Sequence, residues 1–153
     1  MPNLSREQFK HLAERLNAPN GGFSINTVTG EEPTDGYMVS QSGTEGTIEG
    51  KADHQHLEDY ATVHSHTLEH PSGTRYFGGW HNMDNHHKVL NVSRNFADKN
   101  EATREMLRQD EDAMYDVKKN DEVPNYLKRI ANTTPFNKWI HEKMRSNLPP
   151  ASH

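Results

Sequence analysis

His66-Thr67-Leu68-Glu69-His70 is the stretch of this chain whose residue types and spacing come nearest to a known chemistry. Histidines four apart share one face of a helix. There they could grip zinc while the glutamate between them acts as general base, as in the inverted zinc-protease signature. That chemistry demands one unbroken helix through both histidines and a third ligand from elsewhere, for which Glu142 is the candidate. Pro71 follows His70 directly and puts the second ligand on a last turn that frays. Leu68, inside the motif, falls on an apolar stripe that asks for burial. A zinc-dependent hydrolase using His66, Glu69 and His70 is therefore the alternative reading. The leading one assigns no catalytic residue, no metal and no cofactor.

Eight of the 11 histidines lie between His54 and His87. His54 and His56, two apart, point in different directions on a helix. His81, Asp84, His86 and His87 could capture a transition metal, as loose sets of imidazole and carboxylate do; the plainer reading is the solvated loop of a hairpin. Cysteine is absent, so no disulfide forms and no thiolate serves as ligand or nucleophile. Gly78-Gly79 sits within a strand rather than before a helix, so no glycine loop is placed to cradle phosphate.

These residues need elements to hold them. Ser5 and Gln8 form a capping box, and Phe9, Leu12, Ala13 and Leu16 then share one helical face. Residues 22–26 alternate as a half-buried strand, residues 37–40 are a second short strand, and residues 41–51, rich in Gly, Thr and Glu, read as an exposed loop. Asp53 caps a helix expected over 53–70, with Leu57, Tyr60, Ala61, His64 and Leu68 on one stripe and His64 therefore partly buried. Residues 76–80 and 88–93 form a hairpin joined by the polar segment 81–87. Trp80 and Tyr76 should supply packing area there, with Gly78-Gly79 permitting close approach, Leu90 and Val92 buried, and His86 and His87 exposed. Asp98 caps another helix, residues 113–117 make a last strand and residues 118–122 a polar turn. Two short helices follow, at 125–131 and 135–144, the second carrying Phe136, Trp139, Ile140 and Met144 as an apolar stripe.

From Tyr37 the order is strand, helix, strand, strand, helix, strand. The expected fold class is thus α+β, a ferredoxin-like split βαββαβ antiparallel sheet with an N-terminal helix and a C-terminal helical tail. We place the core domain at residues 1–122 and the tail at 123–153. At 153 residues, 31% hydrophobic and with a mean hydropathy of −1.07, the chain has room for a thin core only. Up to Val117 it holds 10 Lys and Arg against 19 Asp and Glu, and from Lys118 onward 7 against 3. An acidic body repels phosphate, so nucleic acid is an unlikely partner; nothing approaches a membrane span, and no apolar leader opens the chain.

The segments GGFSINTVTGEEPTDGYMVS, YFGGWHN, KVLNVSRNF and EATREMLRQDEDAMYDV, in that order, resemble a small domain common in tailed bacteriophages and prophages. The resemblance covers residues 21–117. It implies a phage or prophage source and names no activity. The tail beyond Pro124 lies outside it, and the histidine-rich helix and the His86-His87 pair depart from its pattern. The function expected is that of a non-enzymatic phage protein acting through protein–protein contact, a minor virion component or a host-directed binder, located in the virion or the bacterial host cytoplasm and not secreted. Phe136, Trp139, Ile140 and Lys143 are the candidate partner-binding residues, on a terminal helix apolar on one side and basic on the other; the alternative is that Phe136, Trp139 and Ile140 fold back on the domain's own thin core. The partner is another protein or a second copy.

Overall fold

The structure is a computed structural model that describes residues 3–148. In chain order its elements are α1 (Arg6–Asn17), β1 (Gly22–Ile25), β2 (Tyr37–Ser40), β3 (Gly46–Ile48), α2 (His54–Val63), α3 (Ser65–Leu68), β4 (Arg75–His81), β5 (Lys88–Phe96), α4 (Lys99–Arg108), β6 (Ala113–Asp116), β7 (Asp121–Pro124), α5 (Tyr126–Ile130) and α6 (Pro135–Ser146). The fold is α+β, with an open antiparallel sheet in the order β1-β4-β5-β2-β6-β7 and β3 pairing β5 off that path. No helix among the described residues is long and apolar enough to cross a membrane.

Two compact units divide the chain: Met1–Pro33 with Gly43–Ser93, and Thr34–Ser42 with Arg94–His153. β5 runs through both, leaving the first after Ser93. The first unit's core gathers Phe9, Leu12 and Leu16 of α1, Leu57 and Ala61 of α2, Leu68 of α3, Phe23, Phe77, Leu90 and Val92. Phe77 is at its centre, edge-on to Phe23 at 5.0 Å and stacked on Tyr60 at 5.2 Å. α1 starts where its capping box puts it: Ser5 Oγ accepts from the Gln8 amide and Gln8 Oε1 from the Ser5 amide. In the register of β1 on β4, Phe23 faces Gly79 and Ser24 faces Gly78. A Cβ on Gly79 would meet the Phe23 ring at 2.7 Å, and one on Gly78 would meet Asn91 Oδ1 at 2.4 Å. The side-chain space that both glycines give up is thus taken by neighbours.

The second unit packs Val39, Ala102, Met106 and Met114 together, with Tyr37, Phe96 and Val123 against them. Buried Glu105 on α4 faces Arg94 of β5 at 3.4 Å and Arg108 at 2.7 Å. α5 is capped by Asn125, itself buried, whose Nδ2 donates to the Glu111 carbonyl at 2.9 Å while Oδ1 accepts from the Lys128 amide.

Several expectations are corrected. Residues 41–51 are not all loop, because Gly46, Thr47 and Ile48 pair with Leu90, Val89 and Lys88. The turn expected at 118–122 ends in β7, paired residue for residue with β6 from Asp116↔Asp121 to Ala113↔Pro124. β7 thereby spans the junction between residues 122 and 123 where the sequence reading ends the core. The single helix expected over 53–70 is two pieces, with His64 as C-cap of α2 and leader of α3. Trp80 supplies no core packing and is 44% exposed. The period of two along β4 sends Phe77, Gly79 and His81 to one face and Trp80 to the other. Of the loop histidines His86 is exposed and His87 half-buried, while His81 is not in the loop at all but ends β4, buried.

Candidate functional site

The histidine–glutamate motif does not form the surface its chemistry needs. α3 ends at Leu68, Glu69 is its C-cap, and His70 lies beyond, with Nδ1 accepting from the Ser72 amide at 3.1 Å and 2.9 Å from Ser72 Oγ. His66 is exposed on a helix of four residues. Pro71 and Gly73, the latter at φ 68, turn the chain away before a further helical turn can align His70 with His66. Among the described residues no group of three or more His, Asp or Glu is placed to hold a metal ion.

The candidate contact residues lie in the second unit, on α6. Thr134 caps this helix by accepting from the Asn137 amide, and Pro135 occupies its first turn. Arg145 attaches it to the end of α4, with His141 one turn before it on the same side. Arg145 Nε donates to the Leu107 carbonyl at 2.9 Å, its guanidinium also reaches the Arg108 carbonyl at 3.4 Å, and His141 Nε2 lies 3.4 Å from Asp110 Oδ1. The carbonyls that close a helix lack intrahelical partners, and a cation there also suits the negative end of the helix. Lys128 of α5 joins the same junction, with Nζ 2.9 Å from Asp112 Oδ1 and 2.5 Å from the Asp110 carbonyl. The hydrogen bond from Lys128 to Asp112 holds its ammonium above the usual lysine range.

Fixing α6 by Arg145, with half-buried His141 on the same side, turns its other side outward. Phe136, Trp139, Ile140 and Lys143 follow the i, i+3, i+4, i+7 spacing of one face, and at 100° per residue that face is centred opposite His141 and Arg145. Phe136 is 67% exposed and Trp139 is 51% exposed; the two rings stack on each other at 6.1 Å between centroids rather than on a core. Ile140 is half-buried and Lys143 exposed. Sequence reasoning missed that α5 adds to this exposed set, for Tyr126 is 66% exposed and Ile130 41%. The signal was present in the four-residue spacing of Tyr126 and Ile130, but a helix of five residues is too short for a periodicity to stand out. Lys138 and Arg129 are exposed among these apolar groups, so the region is both apolar and cationic.

Compared with protein-family models, curated proteins and solved structures, the chain matches none.

Proposed function

We propose that this is a non-enzymatic phage protein that works by gripping another protein with the outer face of α6. One observation carries the reading: Phe136 and Trp139 are exposed and stacked on the side of α6 opposite to the side that Arg145 pins to α4. An exposed aromatic pair on a helix held in place is the kind of anchor that dominates binding energy in protein interfaces, because it is rigid before contact and buries much apolar area on contact. Lys138, Lys143 and Arg129 beside it favour a partner whose apolar groove is rimmed by carboxylates. The phage or prophage source rests on the ordered motifs between residues 21 and 117. On that reading the protein is a minor virion component or a host-directed binder, in the virion or the host cytoplasm. The succession β6-β2-β5-β4 within the sheet is the order a split βαββαβ unit takes, which supports a ferredoxin-like centre with β1 and β7 added at its edges.

The test is site-specific photo-crosslinking. A photoreactive phenylalanine analogue replaces Trp139, or in a control Thr62 on α2, in cells producing the phage. A discrete protein adduct is expected from position 139, absent from position 62 and absent when Phe136→Ala is added. No adduct at 139, or the same products at both positions, would sink the proposal. The variant F136A/W139A should keep its stability within about 1 kcal/mol, since surface changes away from the core cost little. A loss above about 3 kcal/mol would make the pair structural.

A further inference from the structure

At the mouth of the β4–β5 hairpin two imidazoles meet. His81 Nδ1 is 3.0 Å from the Ala18 carbonyl oxygen, and His81 Nε2 is 3.0 Å from His86 Nδ1. A carbonyl only accepts, so Nδ1 of His81 carries the proton, and in the neutral ring Nε2 is left with a lone pair. His86 Nδ1 must then be the donor between the rings. A single proton is held between two nitrogens whose positions are set by backbone. His81 is buried, and its own amide donates to the Gly21 carbonyl at 3.0 Å. The loop is folded back by the His86 amide on the Asn82 carbonyl at 2.7 Å and by the Asn82 amide on the His87 carbonyl at 2.9 Å. Met83 Sδ, which accepts from the Asn20 amide at 3.2 Å, ties it to the same turn that holds His81.

We propose that His81 Nε2 and His86 Nδ1 form a two-imidazole site for a divalent copper or nickel ion, which takes the place of the shared proton. The tautomer of His81 is already that of a ligand: metal-bound histidines donate their second ring N–H to a carbonyl or carboxylate, which orients the ring and raises its basicity. His86 becomes a ligand by moving its proton from Nδ1 to Nε2, so two neutral rings bind the ion without a net loss of protons. Two nitrogens about 2.0 Å from an ion lie about 2.8 Å apart at the right angle of tetragonal copper or nickel and about 3.3 Å apart in tetrahedral zinc, so the 3.0 Å between these rings is a small ring movement from either. Imidazole sites hold copper most tightly among the divalent first-row ions, with nickel next before it in that order. The exposed His86 ring pivots so that both lone pairs meet at an ion beside the line joining the nitrogens, and water completes the coordination. This requires no third protein ligand, in keeping with the absence of such a group among the described residues. The site owes nothing to α6 and stands or falls separately from the contact function.

The experiment is a titration of the full chain, purified without a polyhistidine tag, with copper(II) chloride, followed by NMR and by calorimetry. The first equivalent of the paramagnetic ion should broaden the His81 and His86 ring signals and the amides of residues 82–87 before any other. His86→Ala should weaken the first binding event by about tenfold or more, since losing even an outer-shell partner of a ligand costs about 10–100-fold in metal affinity. The pair H54A/H56A should leave it within about threefold. His86 is exposed, so its variant decides the matter even where the buried His81→Ala fails to fold. Broadening that begins among residues 54–70, or a loss below about tenfold in H86A, would overturn the site.

Discussion

Tyr60 donates its phenolic proton to the Thr44 carbonyl while its ring lies between Phe77 and His64, at 5.2 and 4.3 Å. Burial disfavours the phenolate and pushes Tyr60 up from 10.0 to about 12. A proton held more tightly in the folded chain stabilises it fully below the unfolded value. That stabilisation is lost as pH rises from about 10 through 12. The denaturation midpoint of the natural chain is therefore expected to fall across this window, and that of Tyr60→Phe to fall less; equal slopes would mean the phenol is not held as described. The place of Tyr60 on the core stripe was legible from its spacing to Leu57, Ala61 and Leu68. His81 and His86 stand in one loose set in the sequence, but their direct contact was not legible, because it depends on the Ala18 carbonyl, 63 residues from His81 in sequence.

Between elements, the decisive contact is the buried carboxylate of Glu105, which joins α4 to the end of β5 through Arg94 and braces Arg108 on its own helix. Gln109 adds a hydrogen bond to the same carboxylate at 3.2 Å. Glu105→Ala removes the carboxylate that faces two guanidiniums, one of them buried, and should cost about 3–5 kcal/mol in urea unfolding. A loss under about 1 kcal/mol would show that Arg94 finds water instead. A glutamate within a polar helix gives no sequence sign of burial, since its neighbours at the right spacing, Ala102 and Met106, already account for the apolar face. α1, α4 and the hairpin strands were legible because caps and periodicity agreed. β3 and β7 were not. Gly46-Thr47-Ile48 and Asp121-Glu122-Val123-Pro124 have no strand pattern of their own, and exist because β5 and β6 offer unpaired backbone groups to them. The α2–α3 break was hidden because Leu68 rejoins the stripe after His64 interrupts the helix.

At the scale of the molecule, the two units differ in charge. The first holds 6 Lys and Arg against 11 Asp and Glu, the second 11 against 11. Each has its own apolar cluster, and β5 passes through both, its residues Lys88 to Arg94 all buried. Amides of β5 should therefore exchange most slowly of all in native-state hydrogen exchange, because opening either unit alone leaves part of the strand protected. Slower exchange in α1 or β6 would contradict this. The outermost strand of the second unit has a further effect. β7 presents Asp121 and Glu122 to solvent and closes on Pro124, which has no amide proton to give. A foreign strand arriving there meets two negative charges and a missing donor, so the ribbon of hydrogen bonds stops at this chain. Crowded among many copies of itself, the protein is thus guarded on that flank against stacking into fibrils, and its stickiest groups are left where a helix, not a sheet edge, does the holding.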